Sequence, residues 1–217
     1  MKANIPTRKK IKLNWFKAKA DLNIDRKIDI QYNSVNITSN KLNWDVIVKY
    51  VLIKEGVPKE IPINSPITLY KEGLPFLFLS TANTIGNKTI SEDLIDDDIK
   101  VDDDIIQIKE GETKVTYEDA KDPKEHIEVR TRYDNITRRI TIENKLDNSI
   151  ELLLKYKQTK DVNFVSSTPE PNKIEEPEYH YSITISSENK FRLTLELKAK
   201  MVSRVTKLKP EFLKKIK

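Results

Sequence analysis

An all-β fold of antiparallel strands packed as a β-sandwich is what this sequence predicts, on three observations. From Tyr179 to Met201 apolar and polar residues alternate through two segments separated by Ser187-Glu188-Asn189, and a period of two gives each strand one apolar face. Runs rich in β-branched residues recur along the chain with turn formers about every eight to twelve residues between them. No segment sustains a 3.6-residue apolar period over three turns.

The elements follow in chain order. Residues 1–20 form a basic N-terminal segment carrying Lys2, Arg8, Lys9, Lys10, Lys12, Lys17 and Lys19. A first β-rich domain, 21–120, takes in the strand-like runs Lys27 to Tyr32, Val35 to Ser39, Trp44 to Ile53, Pro66 to Lys71, Asp104 to Lys109 and Thr113 to Tyr117. Glu118 to Lys124 has charge, a proline and no apolar anchor, which suits a boundary. A second domain, 121–206, holds the runs His126 to Tyr133, Arg138 to Asn144 and Ile150 to Tyr156. It closes on the alternating pair from Tyr179 to Met201, which reads as a β-hairpin. In that pair Tyr179, Tyr181, Ile183 and Ile185 share one face, and Phe191, Leu193, Leu195, Leu197, Ala199 and Met201 the other. Thr168 to Glu178, with Pro169, Pro171 and Pro177, is expected as a surface loop, because proline has no N–H to give a central strand. The basic tail, 207–217, offers the best helical candidate, with Pro210 ahead of Glu211, Phe212 and Leu213.

Composition narrows the function classes. The chain has 217 residues, 37% of them hydrophobic, enough to bury a core. Its charged fraction of 34%, net charge of +5 and lack of Cys match the composition of thermophile proteins. Without Cys there are no disulfides, thiolate metal sites or cysteine nucleophiles. The longest apolar run, Leu74 to Leu79, is broken by Pro75 and too short to cross a bilayer. No signal-peptide pattern follows the N-terminal cations. The expectation is a cytoplasmic protein, or part of a particle assembled inside the cell, with no membrane partner.

Candidate chemistry is sparse. Glu92, Asp93, Asp96, Asp97, Asp98, Asp102, Asp103 and Asp104 form an acidic run, but it lacks the glycine and terminal bidentate Glu of a calcium loop and reads as a solvated loop. His126 and His180 are the only histidines, each assigned to a solvent-facing side with no neighbouring carboxylate dyad. Only Gly56, Gly73, Gly86 and Gly111 are available, too dispersed for a phosphate cradle. Outer-face carboxylates such as Glu128 with Glu143 or Glu196 are the remaining material for a glycosidase-like pair. Positive charge gathers at both ends and in Arg130, Arg132, Arg138 and Arg139, which fall on two adjacent expected strands and suggest an outward basic stripe.

Three stretches resemble a known family. Ile28 to Val46, with an Asn/Thr-rich turn and Trp44-Asp45, is similar to a strand–turn–strand of the family called domain of unknown function 4139, found in mucoidy-inhibitor-A-like proteins. Arg138 to Leu152 resembles that family's late hairpin, and Ile67 to Gly73 a strand entering a glycine turn. The resemblance implies an all-β fold without an established activity and transfers no catalytic residue.

The expectation for function is a non-catalytic β-sandwich interaction module that needs no metal or cofactor. Arg130, Arg132, Arg138, Arg139, Phe212 and Leu213 are its candidate contact residues. Its expected partner is another protein or a second copy. The alternatives are a structural subunit of a larger assembly, such as an archaeal viral or cellular particle, and a nucleic-acid-binding protein that uses its basic termini.

Overall fold

A computed structural model of the chain describes residues 19–55, 66–71, 73–80, 84–85 and 88–210. The expected N-terminal arm to Lys17, the helix after Pro210, and Phe212 and Leu213 lie outside the described residues. The first strands are β1 (Lys19–Gln31), β2 (Lys41–Asn43), β3 (Ile47–Glu55), β4 (Pro66–Lys71), β5 (Leu74–Ser80), β6 (Thr84–Ile85), β7 (Lys88–Ile90) and β8 (Leu94–Ile95). The rest are β9 (Ile99–Lys109), β10 (Lys114–Asp119), β11 (Glu125–Asn144), β12 (Ile150–Lys157), β13 (Val162–Thr168), β14 (Lys173–Glu175), β15 (Glu178–Ile185) and β16 (Lys190–Leu208). The all-β expectation holds.

Two compact units divide the described chain, one of 19–25 and 49–93, the other of 26–48 and 94–210. The stretch from Glu118 to Lys124, expected as a boundary, ends β10 and turns into β11 within the second unit.

The second unit is a sandwich. One sheet runs β14-β15-β12-β1, and the other β13-β16-β11-β9-β2 with β10 also on β11. β1 pairs parallel with β12, so the first sheet is mixed rather than purely antiparallel. Alternation along each strand fills one core: Ile28 and Ile30 from β1, Leu152, Leu154 and Tyr156 from β12, Tyr181 and Ile183 from β15, and Ile136, Ile140, Leu193, Leu195 and Leu197 from β11 and β16.

The pair from Tyr179 to Met201 is not a hairpin. β15 pairs with β12 and β14, whereas β16 pairs with β11 and β13. The link between them, with Glu188 at φ 53°, therefore carries the chain from one sheet to the other. Period-two alternation gives the same apolar faces whether two strands lie side by side or face each other across a core. Two other elements also differ from expectation. A 3₁₀ turn at Asn36–Thr38 replaces the strand expected over Val35 to Ser39. The Asn33 Oδ1 accepts from the backbone N–H groups of Val35 and Asn36 at 2.8 and 2.9 Å, a local bond that competes with a ladder. Within the expected surface loop, β14 adds a short edge strand to β15.

In the first unit β3 pairs antiparallel with β7 through Val51 to Ile53, and β7 with β6. β4 and β5 form a separate hairpin that turns at Gly73, whose φ of 82° favours glycine. Tyr70, Leu74 and Phe78 of this hairpin are exposed, and the Phe76 ring meets Tyr50 edge-on at 5.6 Å.

Candidate interaction surface

β11 and β16 outrun the sandwich. β9 pairs with β11 only over 135–144, and β13 with β16 only over 162–168 against 194–199. Beyond that, 125–133 and 200–208 have each other and, on the far side of β11, β10. The sequence explains where the core stops. The inward positions of β11 read Asn144, Ile142, Ile140, Arg138, Ile136 and Asp134, all buried, and then continue as Arg132, Arg130, Glu128 and His126. On β16 the same face passes from Leu197 and Ala199 to Met201, Ser203, Val205 and Lys207. A face that turns polar no longer requires a second sheet over it, so the three strands continue as a ribbon.

Charges on this face are matched in place. Glu128, only 6% exposed, accepts from both Arg130 and Lys207. Arg132 bonds the buried Asp134 at 3.1 Å and Glu110 at 2.8 Å. Asp134 also accepts the Gly111 N–H at 3.1 Å, and a Cβ on Gly111 would stand 2.1 Å from the Tyr133 carbonyl oxygen, so only glycine fits where β9 gives way to β10. Among these ion pairs stand apolar groups open to solvent: Tyr117 at 67% exposure, with Val115 and Val205 half-exposed. The Tyr117 ring meets His126 edge-on at 5.1 Å. A cleft of about 370 Å³ lies between Thr113, Arg130, Arg132, Met201 and Ser203.

The Glu128 ion pairs set a pH dependence. Its carboxyl is held below the ordinary value of 4.5, first by the hydrogen bond from Lys207 and then by that from Arg130. A carboxyl lowered in the folded state stabilises above its unfolded pKa, and that contribution is lost as pH falls through the folded value. Glu128→Gln should therefore lower the melting temperature at neutral pH, and the gap from wild type should close as the melts are taken down through pH 4 toward pH 2. A gap unchanged across that range would show that the ion pairs carry no weight.

The basic stripe does not form as expected. The four arginines lie on one strand, not two, because Asp134-Asn135 stays extended and Asp134 points into the core. Arg130 and Arg132 share the ribbon face, Arg139 points to the opposite side, and Arg138 is fully buried. Its Nε donates to Asp103 at 2.8 Å and its Nη1 to the carbonyls of Ile37 and Ser39 at 2.8 and 3.0 Å. The second Asp103 oxygen accepts from the Tyr32 hydroxyl at 2.7 Å and the Trp44 indole at 2.9 Å. Burial, followed by the Asp103 charge, holds the Tyr32 hydroxyl well above its ordinary pKa, so it stays a donor. This cluster fastens the 3₁₀ turn to the sheet, with Tyr32, Asp103 and Arg138 fully buried.

The acidic run is likewise not one solvated loop. Asp103 lies in the core, Asp102 takes Lys41 and Lys100 at 3.0 and 2.6 Å, and Asp96 takes Arg26 at 2.8 Å. Among the described residues no His, Asp and Glu group is arranged to hold a metal ion. Glu128 forms no carboxylate pair with Glu143 or Glu196, since its partners are cations. His180, expected on a solvent-facing side with no carboxylate dyad beside it, is instead largely covered and has Glu175 and Glu178 at 3.6 and 3.8 Å, because the β14–β15 turn folds them beside it. Among the described residues no helix is long and apolar enough to cross a membrane.

Val115, Tyr117 and Val205 were not singled out in the sequence. Their signal was there: Val115 and Tyr117 share one parity of a short run with charge at both ends, Lys114 and Glu118-Asp119. Comparison with protein-family models, with curated proteins and with solved structures finds no match.

Proposed function

We propose that the protein is a non-catalytic β-sandwich module that binds a protein partner through the β10–β11–β16 ribbon. The observation that carries this reading is the set of exposed Val115, Tyr117 and Val205 among ion pairs that are already internally matched. Apolar groups held at fixed spacing on a sheet lose little entropy on binding, and matched charges add little desolvation cost around them. Nucleic-acid binding by a described basic stripe loses support, because Arg130, Arg132 and Arg138 each sit on a carboxylate.

Capture from an extract of the native source tests it, with wild type compared against Tyr117→Ser/Val205→Ser. Both side chains are exposed, so the variant should melt with wild type while losing the captured protein. Retained capture by that variant, or its loss only in Phe78→Ser on the β4–β5 hairpin, would move the interface off the ribbon.

A further inference from the structure

The ribbon has two outer edges. Beyond Lys200, whose N–H donates to the Asp161 carbonyl at 2.7 Å, the outer edge of β16 has no described partner, and neither has that of β10, which pairs only with β11. Unpaired strand edges invite another strand, and proteins commonly guard them with charge. The β16 edge is cationic: from Lys200 to Lys209 it carries Lys200, Arg204, Lys207 and Lys209 and no acid, Lys207 being paired with Glu128 and Arg204 lying 3.6 Å from Glu118 across the ribbon. Laid against its own copy it would set cation against cation. The β10 edge lacks that guard.

We infer that β10 is a self-pairing edge, through which two copies of this chain join their ribbons about a two-fold axis at Thr116. This rests on the reading of the ribbon as the interface and names its partner. A two-fold axis perpendicular to a sheet pairs the two β10 strands antiparallel, with residues of the same face opposite each other. Centred on Thr116, that register sets Lys114 against the second copy's Glu118 and Val115 against the second copy's Tyr117, each twice, with Thr116 meeting Thr116 in the middle. The two ion pairs lie on one face and the two apolar pairs on the other. Opposite charges, aromatic on β-branched, and Thr on Thr are the cross-strand combinations that stabilise an antiparallel pair.

Neighbouring registers lose this match. Centred on Tyr117, Val115 would face Asp119; centred on Val115, Glu112 would face Glu118. Every residue of β10 is exposed, so both strands can come together without unpacking anything. Pairing joins the two ribbons in the order β16-β11-β10-β10-β11-β16 and closes the dimer, leaving the cationic β16 edges as the outer edges of the joined ribbons. Five residues on each side bury less than the roughly 1,200 Å² of a standard interface, so the dimer is expected to depend on concentration.

The test uses the full chain, which contains no Cys. Light scattering over a concentration series should rise from the monomer mass to twice that mass. Lys114→Glu and Glu118→Lys should each hold the protein at monomer mass, since each sets like charges opposite one another, and combining them should restore the dimer. Thr116→Cys should form an inter-chain disulfide on oxidation, because residues directly opposite in a ladder have Cα atoms within disulfide reach. Lys114→Cys should not, since its two copies would lie about 13 Å apart along the strand. Circular dichroism shows that each variant is folded. A wild type that stays monomeric to about 1 mM, a dimer indifferent to charge reversal, a double variant that stays monomeric, or a mass that grows past the dimer would each overturn the inference. If Lys114→Glu still captures a protein that Tyr117→Ser/Val205→Ser loses, the ribbon remains an interface for a different protein. If neither the mass nor the capture responds to ribbon substitutions, both readings fall together.

Discussion

Replacing Arg138 with Met is expected to destabilise the protein by about 3–5 kcal/mol, the usual result of breaking a buried ion pair from one side. Asp103 is fully buried, and without the guanidinium its charge keeps only the Tyr32 and Trp44 donors. The carbonyls of Ile37 and Ser39 lose their Nη1 donor in the same step, so the 3₁₀ turn is released from the sheet. Arg138→Lys should not rescue it, because an ammonium cannot span Asp103 and both carbonyls as the guanidinium fork does. Removing both charges, as Asp103→Leu/Arg138→Met, should cost less than the single Arg138→Met change, since no unpaired charge remains. Chemical denaturation of wild type, Arg138→Met, Arg138→Lys, Asp103→Leu and the double variant measures this; a double variant as unstable as the Asp103→Leu and Arg138→Met costs combined would mean the residues act independently.

That ion pair marks the limit of what the sequence makes legible. Alternation identifies an inward face but not how deep along a strand the core reaches. Arg138 has the parity of Ile136, Ile140 and Ile142, and a cation among isoleucines on that parity is a buried cation awaiting a partner. The partner is Asp103, hidden within a run of acids, whose parity with Val101 and Ile99 could have separated it from Asp102 and Asp104. The crossing from β15 to β16 was hidden for a different reason. Strand pairing depends on contacts distant in sequence, and nothing between Ser187 and Asn189 distinguishes a turn within a sheet from a step between sheets. The ribbon was obscured because Asp134-Asn135 looks like a turn, which split a 20-residue strand into two shorter ones. Once that strand is continuous, its inward face becomes polar from Arg132 onward, and that change marks where the sandwich ends.

Leu195→Ala is expected to cost about 2–5 kcal/mol, and its position makes the result informative beyond its size. Leu195 is fully buried, with Arg138 opposite it on β11 and Ser167 on β13. Truncation removes the transfer free energy of the lost carbons and leaves a cavity beside a charged group. If that cavity stays dry, the cost should sit at the upper end of the range. Water reaching Arg138 would offset part of it and bring the cost toward the lower end. Leu195→Met, which keeps the volume, should cost less than about 1.5 kcal/mol. Arg192→Ala, on the solvent parity of the same strand, should stay within about 0.5 kcal/mol of wild type. Because Leu195 and Arg138 are direct neighbours, Leu195→Ala combined with Arg138→Met should depart from additivity. Equilibrium unfolding in urea separates these cases. A near-zero cost for Leu195→Ala together with a large one for Arg192→Ala would reverse the inward face of β16 and, with it, the ribbon face that carries Met201 and Val205.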